Sequence, residues 1–242
     1  MNTRTKNYYV VVLIIAVAAV VVAAYFVTEK YRKVPDKLQT EKESITYAEK
    51  AIRESSEGYT INIMYPQPRN SEARLAIEQY INQVKDEFMR GLLSVQKDQL
   101  YPSELSMVYN VHQSKYADTY ELNTYIFQGG THGQTDIHTF TVIDDSLVTI
   151  NYVVASDQLE KLARVIKTHI RNEITKSMIQ SMWLDEGLMP AYDNFERFII
   201  HDDGIEFIFL PYQIASYGAG IQRYTVPFEI LPGAVVSSIL AL

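Results

Sequence analysis

The sequence predicts an α+β fold: two small lobes, each mainly antiparallel sheet packed with one long helix, after an N-terminal transmembrane helix. Three observations predict it. Period-two alternation of apolar and polar residues recurs in short runs, residues 59–65, 105–111, 137–143 and 205–210 among them. Two longer stretches carry apolar residues at steps of three and four instead. A charge-free run of 20 residues, 8–27, stands at the front. Strands come in groups broken by one helix per lobe, which argues against the regular strand–helix alternation of a doubly wound sheet.

The elements follow in order. Residues 8–27 are dominated by Val, Ile and Ala. At about 1.5 Å per residue a helix of that length spans roughly 30 Å, the thickness of a bilayer core. Tyr8, Tyr9, Tyr25 and Phe26 stand at its ends, where amphipathic rings favour the headgroup zone. Residues 1–7 then form a short tail, and the charged stretch 28–45 reads as a solvated stalk. Arg4 and Lys6 precede the span, and Lys30, Arg32, Lys33 and Lys37 follow it. Taken plainly, that count puts the body in the cytoplasm, but long domains and early acidic neighbours blur the rule and the local charge does not orient the span.

The first lobe, 46–128, opens with the strand 59–65, which ends at the turn Pro66-Gln67-Pro68. Asn70 or Ser71 caps a helix whose buried stripe is Ile77, Ile81, Val84, Phe88 and Leu92. Strands at 105–111 and 119–127 follow. The second lobe, 129–242, begins with a strand at 137–143, a turn at Asp144-Asp145-Ser146 and a hairpin partner at 147–153. Ser156 or Asp157 caps the second helix, with Leu159, Leu162, Ile166, Ile170, Ile174 and Met178 on its core face. Residues 183–190 read as a loop. Strands at 195–200 and 205–210 flank the hairpin turn His201-Asp202-Asp203-Gly204, and a last strand covers 222–228.

Composition narrows the function. An apolar content of 47% is enough for a folded core. The absence of cysteine removes disulfides, thiolate metal sites and a cysteine nucleophile together. Residues 38–242 hold 16 basic and 27 acidic side chains, a net charge of −11. Such a body repels nucleic acid and anionic polymers and attracts cationic partners.

Most catalytic signatures are missing: no dinucleotide glycine motif, phosphate loop, His-Glu-x-x-His or Gly-x-Ser-x-Gly occurs. Ser94 and Lys97 have Ser-x-x-Lys spacing, but the companion motifs fail at Ser156-Asp157-Gln158 and Lys167-Thr168-His169. His132, His138, His201, Asp202 and Asp203 are potential metal ligands. The turn explains Asp202 and Asp203 better, and no third histidine is fixed nearby, so neither metal nor other cofactor is expected.

The candidate binding residues lie in two glycine-rich bends. Gly129, Gly130, His132 and Gly133 form the first; Tyr212, Tyr217, Gly218 and Gly220 form the second. Glycine permits positive φ and close backbone approach, so both stretches are expected to bend tightly with exposed backbone amides.

The double-glycine bend belongs to an ordered series: Asp185-Glu186-Gly187, Asn194-Phe195, Asp202-Asp203-Gly204, Phe207 to Tyr212, Ile214-Ala215, Ala219-Gly220 and Val226-Pro227. This series resembles the C-terminal domain of unknown function of RsiV-like, lysozyme-sensing anti-sigma factors. Residues 59–128 resemble the companion domain of PdaC-type peptidoglycan deacetylases. Gln128, Thr131 and Ser216-Tyr217-Gly218 depart from the common pattern. The resemblance implies an extracytoplasmic body, with residues 1–7 inside the cell and a cationic wall-active protein or a peptidoglycan fragment as ligand. Seven residues before the span are too few to hold a sigma factor, so none is expected, and no deacetylase domain is recognised. The expectation is therefore a membrane-anchored, non-catalytic binding module of the bacterial cell envelope. An envelope hydrolase or deacetylase using His132, or an envelope scaffold, is the alternative.

Overall fold

The structure, a computed structural model, describes residues 48–93, 102–173 and 181–240. The transmembrane expectation over 8–27, the stalk, Ser94, Lys97, Ile174 and Met178 lie outside them. Among the described residues no helix is long and apolar enough to cross a membrane.

The first strand, β1 (Glu49–Ser55), was not anticipated, because its alternation is masked by charged residues at an exposed edge. It pairs antiparallel with β2 (Tyr59–Pro66). Helix α1 (Ser71–Leu92) then crosses over to β3 (Ser103–Gln113), which runs parallel to β2. The remaining strands, β4 (Asp118–Phe127), β5 (Gln134–Ile143) and β6 (Ser146–Val148), complete an antiparallel meander. Together they make a six-stranded sheet in the order β1-β2-β3-β4-β5-β6. It passes through the lobe boundary read at residues 128 and 129, since β5 and β6 extend the first sheet. The described residues all fall in one compact unit.

Helix α1 starts where the sequence places it. The Asn70 side chain accepts from the Ala73 amide at 2.8 Å, the bond that satisfies an otherwise orphaned donor of the first turn. Ala73, Ile77, Ile81, Val84 and Phe88 are buried on one stripe. They meet Ile61, Ile63, Leu105, Met107, Tyr120, Leu122 and Phe140 on the facing side of the sheet.

The reading departs from the structure after β6. Residues 150–153 are a short helix, α2 (Ile150–Val153), not a continued strand. Ile150 and Val153 are both buried, three apart, which a strand would have sent to opposite faces. The main helix of this half is α3 (Leu159–Glu173), with Leu159, Leu162, Ala163, Ile166 and Ile170 buried. The stretch read as a loop is instead α4 (Ser181–Gly187), which places Leu184 against the core one turn before buried Leu188. A 3₁₀ turn (Tyr192–Phe195) replaces the start of the next strand, leaving β7 (Phe198–Ile200) short. It pairs with β8 (Gly204–Phe209), which pairs with β9 (Gln222–Pro227), in a separate three-stranded antiparallel sheet. The last helix, α5 (Gly233–Leu240), was not anticipated.

The small sheet has two buried faces. Phe198, Ile200, Ile205, Phe207 and Phe209 join Leu162, Ile166 and Ile170 of α3 in one core. Ile199 and Ile208, on the opposite face, pack with Ile137 of β5. Period two thus turns alternate residues of the small sheet towards α3 and towards the large sheet.

Asn70→Ala is expected to cost about 1 kcal/mol of unfolding free energy. It removes the helix cap and the amide bond that Asn70 donates to the Asp145 carbonyl in the β5–β6 turn. Chemical denaturation of the two proteins measures the difference.

Candidate functional site

The bend between β4 and β5 turns on Gly129 and Gly130, at φ of 97° and 92°, a left-handed backbone that side chains oppose. Gln128 anchors it by donating from Nε2 to the Phe88 carbonyl of α1 at 2.7 Å. Gly133 closes it beneath Tyr125: a Cβ there would lie 2.3 Å from the Tyr125 ring. The Gly133 carbonyl accepts from His132 Nδ1 at 3.2 Å and from the Tyr217 hydroxyl at 3.1 Å.

Tyr217 comes from the connection between β8 and β9. Its 3₁₀ turn, Tyr217–Ala219, is ended by Gly220 at φ 69°. Gly218 is exposed, with open space where its side chain would be. Earlier in the same connection Tyr212 holds φ 71°, a strained value for a bulky residue, and its amide donates to the Ala215 carbonyl at 2.9 Å. The residue is left 61% exposed.

The two bends converge. The His132 ring stacks on Tyr217 with centroids 4.3 Å apart and planes at 29°. Tyr217 lies 5.7 Å from Tyr212 at 32°, and Tyr212 lies 6.1 Å from Trp183 of α4 at 23°. Four aromatic rings from three segments thus form one near-parallel row. Sequence reasoning placed His132, Tyr212 and Tyr217 in candidate bends but missed Trp183. The only signal available was that the chain's single tryptophan stands four residues before the glycine at 187.

The other histidines part company with this row. β5 begins at Gln134, so His132 lies outside the strand that carries His138. His138 stacks instead on Tyr80 at 4.5 Å and neighbours Phe140, and its burial there lowers its pKa. His201 and Asp202 sit in the β7–β8 turn, where Asp202 accepts from the Lys115 amide at 2.9 Å. Among the described residues no group of three or more His, Asp or Glu is arranged to hold a metal ion. No carboxylate bonds the His132 ring among them either.

A second cluster was invisible in the sequence. Glu121 of β4 is 1% exposed and receives both arms of Arg223 from β9, at 2.5 and 3.2 Å. Arg223 also reaches Glu206 of β8 at 3.0 Å. His112 Nε2 donates to Glu121 at 2.8 Å, and His201 Nε2 donates to Glu206 at 2.9 Å. The network therefore ties the two sheets together through their polar side. Burial alone would raise the Glu121 pKa; the bonds from His112 and Arg223 outweigh it and hold the carboxyl down at about 2.

Residues 145–229 match the protein family described as "Protein of unknown function (DUF3298)". The chain is 28% identical over 184 residues to the peptidoglycan-N-acetylmuramic acid deacetylase PdaC of Bacillus subtilis, a match covering 73% of this chain and 39% of that enzyme. The chain thus spans about two fifths of the deacetylase's length. It is 26% identical over 182 residues to the immunogenic protein MPT64 of Mycobacterium tuberculosis, covering 73% of this chain and 78% of the relative. A DUF3298-family crystal structure from Bacteroides fragilis superposes with a TM-score of 0.53 at 14% identity, over 81% of this chain and 97% of the other. One from Pseudomonas aeruginosa gives 0.50 at 12%, over 78% and 96%. Both share the fold. The matched stretch begins at the β5–β6 turn and includes Trp183, Tyr212 and Tyr217, while His132 and Glu121 precede it.

Glu121 binds its proton more weakly folded than unfolded, so its contribution to stability is present above about pH 4.5 and is lost as pH falls towards about 2. Glu121→Gln is expected to remove about 3 kcal/mol of stability at neutral pH. It should also flatten the acid limb in that window, as read from urea midpoints at a series of pH values.

Proposed function

We propose that this chain is a membrane-anchored, extracytoplasmic binding module of the bacterial cell envelope, recognising a wall-associated ligand through the Trp183–Tyr212–Tyr217–His132 row. The observation that carries this reading is the convergence of the two glycine bends. It gathers four rings in one row, with His132 and Tyr212 exposed and Trp183 and Tyr217 half-buried, and one of them, Tyr212, holds a strained backbone. Aromatic side chains presented this way offer large contact area at low conformational cost, the composition of recognition surfaces. Strained backbone outside a catalytic constellation also fits a ligand-contacting loop.

The envelope setting is supported by the apolar run at 8–27 and by similarity to an enzyme named for peptidoglycan. The RsiV-like resemblance adds a second reading, in which the ligand is a cationic wall-active protein of the lysozyme kind. The net charge of −11 over residues 38–242 favours it. The similarity to the deacetylase covers under half of that enzyme and transfers no chemistry to His132.

The full-length protein is expected to cosediment with purified peptidoglycan or to be retained by immobilised lysozyme at low salt. Trp183→Ala combined with Tyr212→Ala should weaken retention by about tenfold or more. Failure of the unaltered protein to bind either would refute the proposal. Protease treatment of intact spheroplasts is expected to remove the folded body; its survival, while known surface markers are digested, would refute the extracytoplasmic placement.

A further inference from the structure

The next step rests on that reading and names the ligand class. We propose that Tyr217, Tyr212 and Trp183 form a preformed row of stacking positions for a neutral chain of pyranose sugars.

Ring geometry is the first reason. His132 and Tyr217 lie at 4.3 Å, close enough to cover one another's faces. The next two steps are longer, 5.7 and 6.1 Å, with planes still within 32° of parallel. Near-parallel rings that far apart overlap only in part, so each leaves some of its face open beside the next. A pyranose presents an apolar face of C–H groups and a rim of hydroxyls, and that face stacks on an aromatic ring. A row of open faces thus suits a repeating chain of rings better than a single sugar.

Rigidity is the second reason. Gln213, adjacent to Tyr212, donates from Nε2 to the Asn194 carbonyl at 3.0 Å and to the Gly187 carbonyl at 3.4 Å. Its own carbonyl lies 1.9 Å from where a Cβ on Gly187 would stand, so only glycine lets the Tyr212 loop close onto the end of α4. Helix α4 carries Trp183 and is fastened to α3 through Asp185, which pairs with both Lys167 and Arg171. The third ring, Tyr217, is fixed by its hydroxyl on Gly133. All three are thereby held before a ligand arrives, which removes the ordering cost of binding.

Charge is the third. Lys167 and Arg171 both pair with Asp185 at the Trp183 end, lowering its pKa, and with exposed Glu186 beside them the two cations and two carboxylates balance. The body as a whole is acidic and opposes an anionic polymer. A neutral chain meets neither obstacle. A cationic protein would draw on the overall negative charge and on exposed Glu186, and its binding would weaken with salt.

Trp183 is the only tryptophan in the chain, so its fluorescence reports on the row directly. The experiment titrates the full-length protein with neutral β-1,4-linked N-acetylglucosamine oligomers of increasing length, and separately with lysozyme, at low and high salt. Affinity for the oligomers is expected to rise by about tenfold per added sugar up to the trimer, then level off, and to be insensitive to salt. Tyr212→Gly removes the middle ring while relieving the left-handed backbone. It is expected to melt no lower than Tyr212→Ala and to lose the dependence on length. Gly187→Ala should likewise flatten the length dependence. Binding to lysozyme or intact peptidoglycan without length-dependent oligomer binding would overturn this inference and leave the binding-module reading standing. Binding to none of them would overturn both. Oligomer binding that Tyr212→Gly leaves unchanged would place the sugar elsewhere and also overturn it.

Discussion

The pairing of Glu121 with Arg223 is the constraint on which the rest of the structure depends. It joins residues 102 positions apart, one on an interior strand of the large sheet and one on the edge strand β9 of the small sheet, and Glu121 is almost fully removed from water. A carboxylate buried without a partner is strongly disfavoured, so the two sheets can meet only in the register that brings the guanidinium to it. His112, Glu206 and His201 complete the set and leave neither carboxylate unbonded. The apolar contact of Ile137 with Ile199 and Ile208 lies on the same side of the small sheet, but three aliphatic side chains specify alignment far less sharply than a two-armed ion pair.

That register decides where the candidate face lies. The bend at Gly129–Gly133 leaves from the end of β4, and the Tyr212–Gly220 connection leaves from the end of β8. They belong to different sheets, so a slip of one sheet against the other would separate His132 from Tyr217 and break the bond from Tyr217 to Gly133. The ion pairs and the aromatic row are therefore linked: the buried charges set the geometry and the rings display it. Glycine enters where backbone must approach something closely, at Gly133 under Tyr125 and at Gly187 against Gln213.

Much of the fold was legible because it is local. The cap at Asn70, the stripe from Ile77 to Phe88, the Asp144-Asp145 turn with both residues at positive φ, and the β7–β8 hairpin are each carried by residues within a few positions of one another. The misreadings occur where a short apolar stretch fits either period. Ile150 to Val153 and Trp183 to Gly187 are too brief for periodicity to separate helix from strand or loop, and burial chose the helix. β1 was missed for the opposite reason: a charged edge strand shows little alternation.

The sequence alone determined the α+β class, the two long helices, most strands and the two glycine bends that hold His132, Tyr212 and Tyr217. These follow from nearest-neighbour sterics and from the spacing of apolar residues, both written along the chain. Only the tertiary structure decided that the bends meet, that Trp183 completes their row, and that Glu121 faces Arg223. Those are contacts between segments distant in sequence, and no local pattern encodes them. They arise because burying both faces of the small sheet, while leaving the buried Glu121 charge paired, permits one arrangement of the two sheets.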